Sequence, residues 1–187
     1  AKENLALIRI NNSACNKLFK RDLFKTIRFP LGKLYEDLFV VPILLYQANR
    51  IAHVHEPLYF YLQREGSIVH KNNQRMFHIY EAIQNVHTVL ESEVNVKNDL
   101  KSVIESMYIE HGLHLTTLRI KENGDFADRV KFFKLNIEHL DRYYLNWNRD
   151  ETIRTYPLKS RIVFFLLKYR MVWLVALLLK RSSHESI

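Results

Sequence analysis

Cysteine, glycine and proline are all scarce in this chain. Its 187 residues hold one cysteine, Cys15, with four glycines and four prolines. One thiol cannot form a disulfide within the chain, which excludes a small secreted scaffold held together by disulfides. So few glycines and prolines also argue against collagen-like, low-complexity and turn-dense sandwich or barrel folds. We therefore expect a reducing compartment, with Cys15 as a small buried hydrophobic residue.

Sequence motifs that hold phosphates or metals are missing as well. The chain has no glycine-rich phosphate loop, no nucleophile elbow and no Asp-x-Asp pair. Two histidine pairs each fall on one face of a predicted element, His53 with His55 and His111 with His114. A metal site needs further ligands, and the sequence places none beside either pair, so we expect ordinary structural histidines.

The charge of the chain is positive. Lysine and arginine number 28 against 20 aspartates and glutamates, a net charge of +8. A surplus of this sign favours anionic partners such as nucleotide phosphates or acidic lipid. The cations are scattered along the chain and no nucleic-acid-binding motif accompanies them, so nucleic acid is not an expected partner.

The first 70 residues differ in pattern from the rest. Alternating and aromatic residues over Ile51–Tyr61 are typical of strands, split at Pro57 because proline cannot donate to a β-ladder. Between the turn signals, 36–49 is predicted to be a helix, although Pro42 limits its regularity. We expect a mainly α (α+β) fold, with short strands confined to this first part and helices after it.

From Asn72 onward, apolar residues recur at helical spacing and predict a bundle of three or four helices over 72–181. Turn signals separate three apolar stripes. The stripes are Met76, Ile79, Tyr80, Ile83, Val86, His87 and Leu90; then Leu100, Val103, Ile104, Met107, Tyr108, His111, Leu115 and Leu118; then Phe126, Val130, Phe133, Ile137, Leu140 and Tyr144. We place segment boundaries at 1–71, 72–156 and 157–187.

The last segment begins at Pro157 and is predicted to form one helix to about Arg181. It is strongly apolar but contains Lys168 and Arg170, so a bilayer span is not expected. Two interpretations stay open. The helix packs on the bundle or on a second copy of the chain, or it lies on an anionic membrane surface with its basic residues near the headgroups.

One ordered set of short motifs lies between Asn16 and Ile68. The set reads Asn16-Lys17-Leu18-Phe19-Lys20-Arg21, Ile27-Arg28-Phe29-Pro30, Tyr35-Glu36-Asp37-Leu38-Phe39, Ile51-Ala52-His53-Val54-His55, Pro57-Leu58-Tyr59-Phe60-Tyr61 and Arg64-Glu65-Gly66-Ser67-Ile68. In order and spacing it resembles the second half of the catalytic domain of bacterial family 2 glycosyltransferases. Those are inverting enzymes of the GT-A fold, and the resemblance covers roughly residues 10–72.

The resemblance implies roles for particular residues. Asp37 would be the general base that activates the acceptor hydroxyl, and Glu36 would support it or contact the acceptor. Arg64, Ser67 and His70 would contact the diphosphate of a nucleotide sugar. The alternative for the acidic pair is an ordinary first turn that stabilises the helix N-terminus. For the basic loop, the alternative is a solvated surface.

The nucleotide-binding half of such an enzyme, with its Asp-x-Asp pair, is not in this sequence. We therefore expect a C-terminal portion of a larger cytoplasmic enzyme, at the inner face of the plasma membrane and inactive alone. Mg or Mn is expected in the whole enzyme and none on this chain. Expected partners are a nucleotide sugar, a saccharide or lipid-linked acceptor, an anionic membrane and a second copy of the chain. The competing hypothesis is a non-catalytic helical module that docks a partner or a membrane.

Overall fold

A computed structural model of the chain describes residues 4–62, 73–93 and 97–179. The α-helices in these ranges are α1 (Glu36–Gln47), α2 (His78–Glu91), α3 (Lys97–Met107), α4 (Thr116–Glu122), α5 (Phe126–Tyr143), α6 (Leu158–Lys168) and α7 (Val172–Leu178). A π-helical segment covers Tyr108–Leu115, and 3-10 turns cover Leu5–Arg9, Arg21–Phe24, Gln74–Phe77, Trp147–Arg149 and Glu151–Thr155. The described chain is mainly α, as predicted.

The short strands predicted for the first 70 residues are not found within residues 4–62. Ile51–Tyr61 takes part in no β-ladder, and its aromatic end is exposed, with 88% of Phe60 open to solvent. A strand forms only by exchanging backbone hydrogen bonds with a neighbouring strand, and these residues supply no second strand. The strand prediction is wrong here because β propensity depends on a pairing partner that a local pattern cannot reveal.

Two compact units make up the described chain. The first contains residues 4–62, 78–93 and 97–107, and the second contains 73–77 and 108–179. The boundaries predicted at 71 and 156 stay predictions.

In the first unit, α1 packs against α2 and against the turn Leu5–Arg9. Leu38 and every residue from Val40 to Tyr46 are buried, so the packing of these side chains holds the helix in place. Pro42 sits inside the helix, where it removes one backbone donor, yet burial of nearly the whole helix outweighs that loss. The predicted helix over 36–49 is confirmed as α1.

The second unit is arranged around α5, which contacts the π-helical segment, α4, α6 and α7. Asp125 begins α5 by accepting a hydrogen bond from the backbone N–H of Asp128 at 2.9 Å, and Gly124 before it has a φ of 80°. This is the predicted turn at 123–125, where glycine supplies a backbone conformation that other residues rarely adopt. The first and third stripes are confirmed in their central residues, such as Ile83 and Phe133, which are both fully buried.

The second stripe holds only as far as Tyr108. Beyond it, Leu115 and Leu118 are exposed, whereas Leu113 and Ile120 are fully buried. The π-helical hydrogen bonds join residues five apart, so each residue turns the chain through a smaller angle than in an α-helix. A stripe extrapolated at 3.6 residues per turn therefore ends on the wrong face.

The last segment is two helices, not the single helix that was predicted. Arg170 has a φ of 58°, and the backbone N–H groups of Arg170 and Met171 donate to the carbonyls of Leu167 and Leu166 at 3.0 and 2.9 Å. This is a Schellman motif, which ends α6 at Lys168, two residues before the left-handed Arg170. Over the described ranges, none of the helices combines the length and apolar character needed to cross a bilayer.

Candidate functional site

The acidic pair lies in the first turn of α1. Tyr35 immediately precedes the helix with a φ of 62° and offers no side-chain cap. A left-handed tyrosine costs about 1 kcal/mol or more, and such strain persists only where the surroundings impose it. The kink at Tyr35 directs the chain so that Glu36 is exposed while Asp37 is half-buried. The two adjacent carboxylates therefore occupy different environments.

Asp37 is held by two hydrogen bonds to one of its oxygens. Oδ1 accepts from the backbone N–H of Leu38 at 2.9 Å and from Nδ2 of Asn12 at 3.3 Å. Asn12 is 25 residues away in sequence, so the loop before the first motif reaches back to the head of α1. A carboxylate has about four lone-pair positions, which leaves Asp37 with capacity for a further donor.

The surroundings of Asp37 shift the pKa of its carboxyl. Burial raises the pKa of Asp37 above its usual value, and the negative charge of Glu36 raises it further. The bond from the Leu38 amide and the positive charge of Lys17 oppose that rise without cancelling it. A carboxylate with a raised pKa is a stronger base, and this is the direction that general-base chemistry requires.

Lys17 stabilises the loop that carries Asn12. Its Nζ donates to the backbone carbonyl of Ser13 at 2.8 Å, to Oδ1 of Asn16 at 2.8 Å, and to the carbonyl of Asn11. Burial lowers the pKa of Lys17, while Asp37 raises it. One cation that satisfies three acceptors fixes the loop, so Asn12 is presented to Asp37 by a folded turn.

The aromatic segment approaches the same loop. The side chains of Tyr59 and Cys15 are hydrogen-bonded to each other, and this contact raises the pKa of the Tyr59 hydroxyl. Cys15 itself is exposed, so the prediction of a buried cysteine is wrong.

Sequence reasoning singled out Glu36 and Asp37 but missed Asn12, whose only signal was the polar run before Cys15. The predicted diphosphate contacts Arg64, Ser67 and His70 lie outside the described residues, so their roles stay predictions.

Metal-ligating side chains do not gather in the described part of the chain. No group of three or more histidine, cysteine, aspartate or glutamate residues is placed to hold an ion there. The rings of His53 and His55 lie 4.7 Å apart, and His114 packs on Tyr156 with a centroid distance of 4.7 Å. These residues do not fit a divalent-metal site, and aromatic packing accounts for His114.

A second candidate surface lies on α6. Leu158, Ile162, Phe165 and Tyr169 are spaced four, three and four residues apart, which puts them on one side of the helix. We name these four residues the α6 stripe; each is about half exposed or more, and Leu158 is 67% exposed. The opposite side is buried through residues such as Phe164 and Leu167. One face of α6 is therefore buried, and the α6 stripe is a second apolar surface that is exposed to solvent.

Comparisons of the chain with family models, with curated proteins and with solved structures gave no match.

Proposed function

We propose that this chain is the acceptor-side, C-terminal portion of a glycosyltransferase. The reaction would transfer a sugar from a nucleotide-sugar donor to a saccharide or lipid-linked acceptor, in the synthesis of cell-surface polysaccharide. The observation that carries the proposal is Asp37: a half-buried carboxylate of raised pKa, held by Asn12 and paired with an exposed Glu36. The ordered motifs around it supply the reaction class by resemblance.

The proposed chemistry is a single displacement. The acceptor hydroxyl attacks the anomeric carbon and gives its proton to Asp37, and the bond from that carbon to the diphosphate oxygen breaks as the new C–O bond forms. The electron pair of the broken bond leaves on the nucleoside diphosphate. Asp37 must be deprotonated to act, and its raised pKa makes it a better proton acceptor than an exposed aspartate.

Each neighbour has a defined part in this proposal. Asn12 and the Leu38 amide hold one carboxylate oxygen, which orients the other toward an incoming hydroxyl. Glu36, which is exposed in the same turn, would bind an acceptor hydroxyl or support Asp37. In this proposal the divalent ion belongs to the nucleotide-binding half of the enzyme, where an Asp-x-Asp pair would hold it.

The test uses the enzyme that contains this chain, with release of nucleoside diphosphate as the signal. Asp37→Asn should lower turnover by about 10²–10⁴-fold, the range for loss of a general base. Nucleotide-sugar affinity should be unchanged, because the base faces the acceptor. Glu36→Gln is the matched control at the adjacent position and should have a milder effect. Turnover of Asp37→Asn within a few-fold of wild type would make the acidic pair a helix cap.

A second candidate function is docking on an anionic membrane surface, and the α6 stripe favours it. Cations border the stripe: Arg161 and Lys168 lie on one side of it and Lys159 on the other. An exposed apolar strip bordered by basic residues is the pattern of an interfacial helix. This function is compatible with the first, because a lipid-linked acceptor is presented at the same surface.

Vesicle co-sedimentation tests the docking. Phe165→Ser, in the centre of the stripe, should weaken binding to vesicles of phosphatidylcholine and phosphatidylglycerol. The exposed Phe126→Ser, at the start of α5, is the matched control and should leave binding unchanged. If both variants bind vesicles as well as the wild type does, the α6 stripe does not contact the membrane.

A further inference from the structure

A cleft of about 270 Å³ opens in the second unit between the turns after α5 and the outer side of α6. Its cationic lining comes from both parts. The cations are Arg149, Arg154, Arg161 and Lys168. Four cations around one small cleft make a strongly positive site, because each lies within interaction range of the others at ordinary ionic strength.

One carboxylate in the lining, Asp150, offsets part of this charge. Four cations against this one carboxylate still leave a surplus of positive charge in the cleft. Asp150 accepts from the Tyr144 hydroxyl at 2.9 Å, from the Thr152 backbone N–H at 2.7 Å and from the Thr152 hydroxyl. The ion pairs between described residues lie elsewhere, and the Lys168 ammonium lies over the Tyr169 ring, 5.4 Å from its centroid. An anion is the missing counter-charge.

The cleft lining also contains aromatic rings. Trp147 and Phe164 are almost fully buried, and Phe165 is 57% exposed at the edge. Trp147 is fixed because its Nε1 donates to Oδ1 of Asp141 at 2.9 Å. Phe165 also belongs to the α6 stripe, so the cleft and the exposed apolar strip are one continuous surface. A ligand that satisfies both is anionic at one end and apolar at the other.

We propose that this cleft binds the phosphate of an anionic phospholipid headgroup while the α6 stripe contacts the acyl layer. The choice of a lipid as the source of the phosphate rests on the docking function proposed above. Arginine predominates among the cations, and its planar fork matches two phosphate oxygens at once. The cleft would give the docking surface a defined headgroup position, beyond a general attraction to negative charge.

The test compares two double variants of equal charge in vesicle co-sedimentation. Arg149→Gln/Arg154→Gln removes two cations from the cleft and leaves α6 intact. Lys134→Gln/Arg142→Gln removes two exposed cations from α5, outside the cleft. With vesicles of equimolar phosphatidylcholine and phosphatidylglycerol, the cleft variant should bind about 30-fold more weakly, from about 1 kcal/mol for each cation at the surface. The control should lose less than about 3-fold.

A second experiment, without vesicles, tests whether the cleft also binds free phosphate. Inorganic phosphate is titrated against the Trp173→Phe variant, so that the fluorescence reports Trp147 alone. We expect a weak saturable change that the cleft variant abolishes.

Equal weakening of vesicle binding by both double variants would overturn the proposal, since net charge alone would then explain it. Saturation by phosphate with unchanged vesicle binding in the cleft variant would overturn the lipid as the source. If Phe165→Ser abolishes vesicle binding and the cleft variant does not, docking stands and the headgroup site fails. If the wild type does not bind vesicles, both fail.

Discussion

Arg170, the left-handed residue between α6 and α7, is the subject of a prediction with two opposing contributions. Its φ of 58° is a conformation that glycine adopts freely and other residues adopt at a cost of about 1 kcal/mol. Its guanidinium is ion-paired with Asp141, whose carboxylate also accepts from Trp147. Replacing Arg170 by glycine relieves the strain and removes the ion pair. Replacing it by alanine removes the ion pair and retains the strain.

The two contributions are of similar size. The ion pair is partly exposed, with side-chain exposures of 55% for Arg170 and 30% for Asp141, so it is worth about 0.2–1 kcal/mol. Arg170→Gly should therefore change the free energy of unfolding by less than about 1 kcal/mol. Arg170→Ala should be less stable than Arg170→Gly by about 1 kcal/mol, because alanine keeps the left-handed penalty.

Urea unfolding followed by circular dichroism measures these differences. Asp141→Asn serves as the control for the ion pair alone, because its side-chain oxygen can still accept from Trp147. It should cost no more than about 1 kcal/mol. An alanine variant as stable as the glycine variant would refute the reasoning, since it would mean that position 170 carries no left-handed penalty.

Three further predictions concern the site and the core. Asp37→Asn should stabilise the chain at neutral pH. Burial raises the pKa of Asp37 in the folded state, so ionisation of this carboxyl destabilises the fold as pH rises from the usual aspartate pKa through the raised pKa. The gain should vanish in urea titrations performed below both values, and a gain independent of pH would contradict it. Asn136→Ala should cost about 2–4 kcal/mol in the same assay, because the fully buried amide donates to the carbonyl of Gly112 at 3.0 Å; Lys134→Ala, exposed on the same helix, should cost under about 0.5 kcal/mol. Cys15 should react with a thiol reagent in the native protein as fast as in urea, and strong native protection would show that the exposed position is wrong.

The sequence predicted the elements whose contacts are local. α1 was readable because an acidic first turn precedes a long apolar run, and α2 and α5 were readable from their apolar spacing. The acidic pair at the head of α1 followed from that helix. The remaining features depend on partners distant in sequence: Asn12 reaches Asp37 across 25 residues, and the aromatic segment at 58–61 has no paired strand among the residues that the structure describes.

Two errors have a geometrical origin. The π-helical segment changes the angle per residue, so Leu115 was assigned to the core by a spacing that no longer applied. The break after α6 carries no glycine or proline, because Arg170 takes the position where glycine is usual. A prediction of helix ends from glycine and proline alone therefore misses this break.

The central claim is that Asp37 is the general base of a sugar transfer. Its most direct test joins two measurements on the enzyme containing this chain: the carboxyl titration of Asp37 by NMR, and the pH profile of kcat/KM. A general base must be ionised, so the rate should rise with pH through a value equal to the measured pKa of Asp37, which should lie above the usual aspartate value. That limb should be absent from the residual activity of Asp37→Asn. An acid limb that persists in the variant, or that falls at a different pKa, would contradict the account.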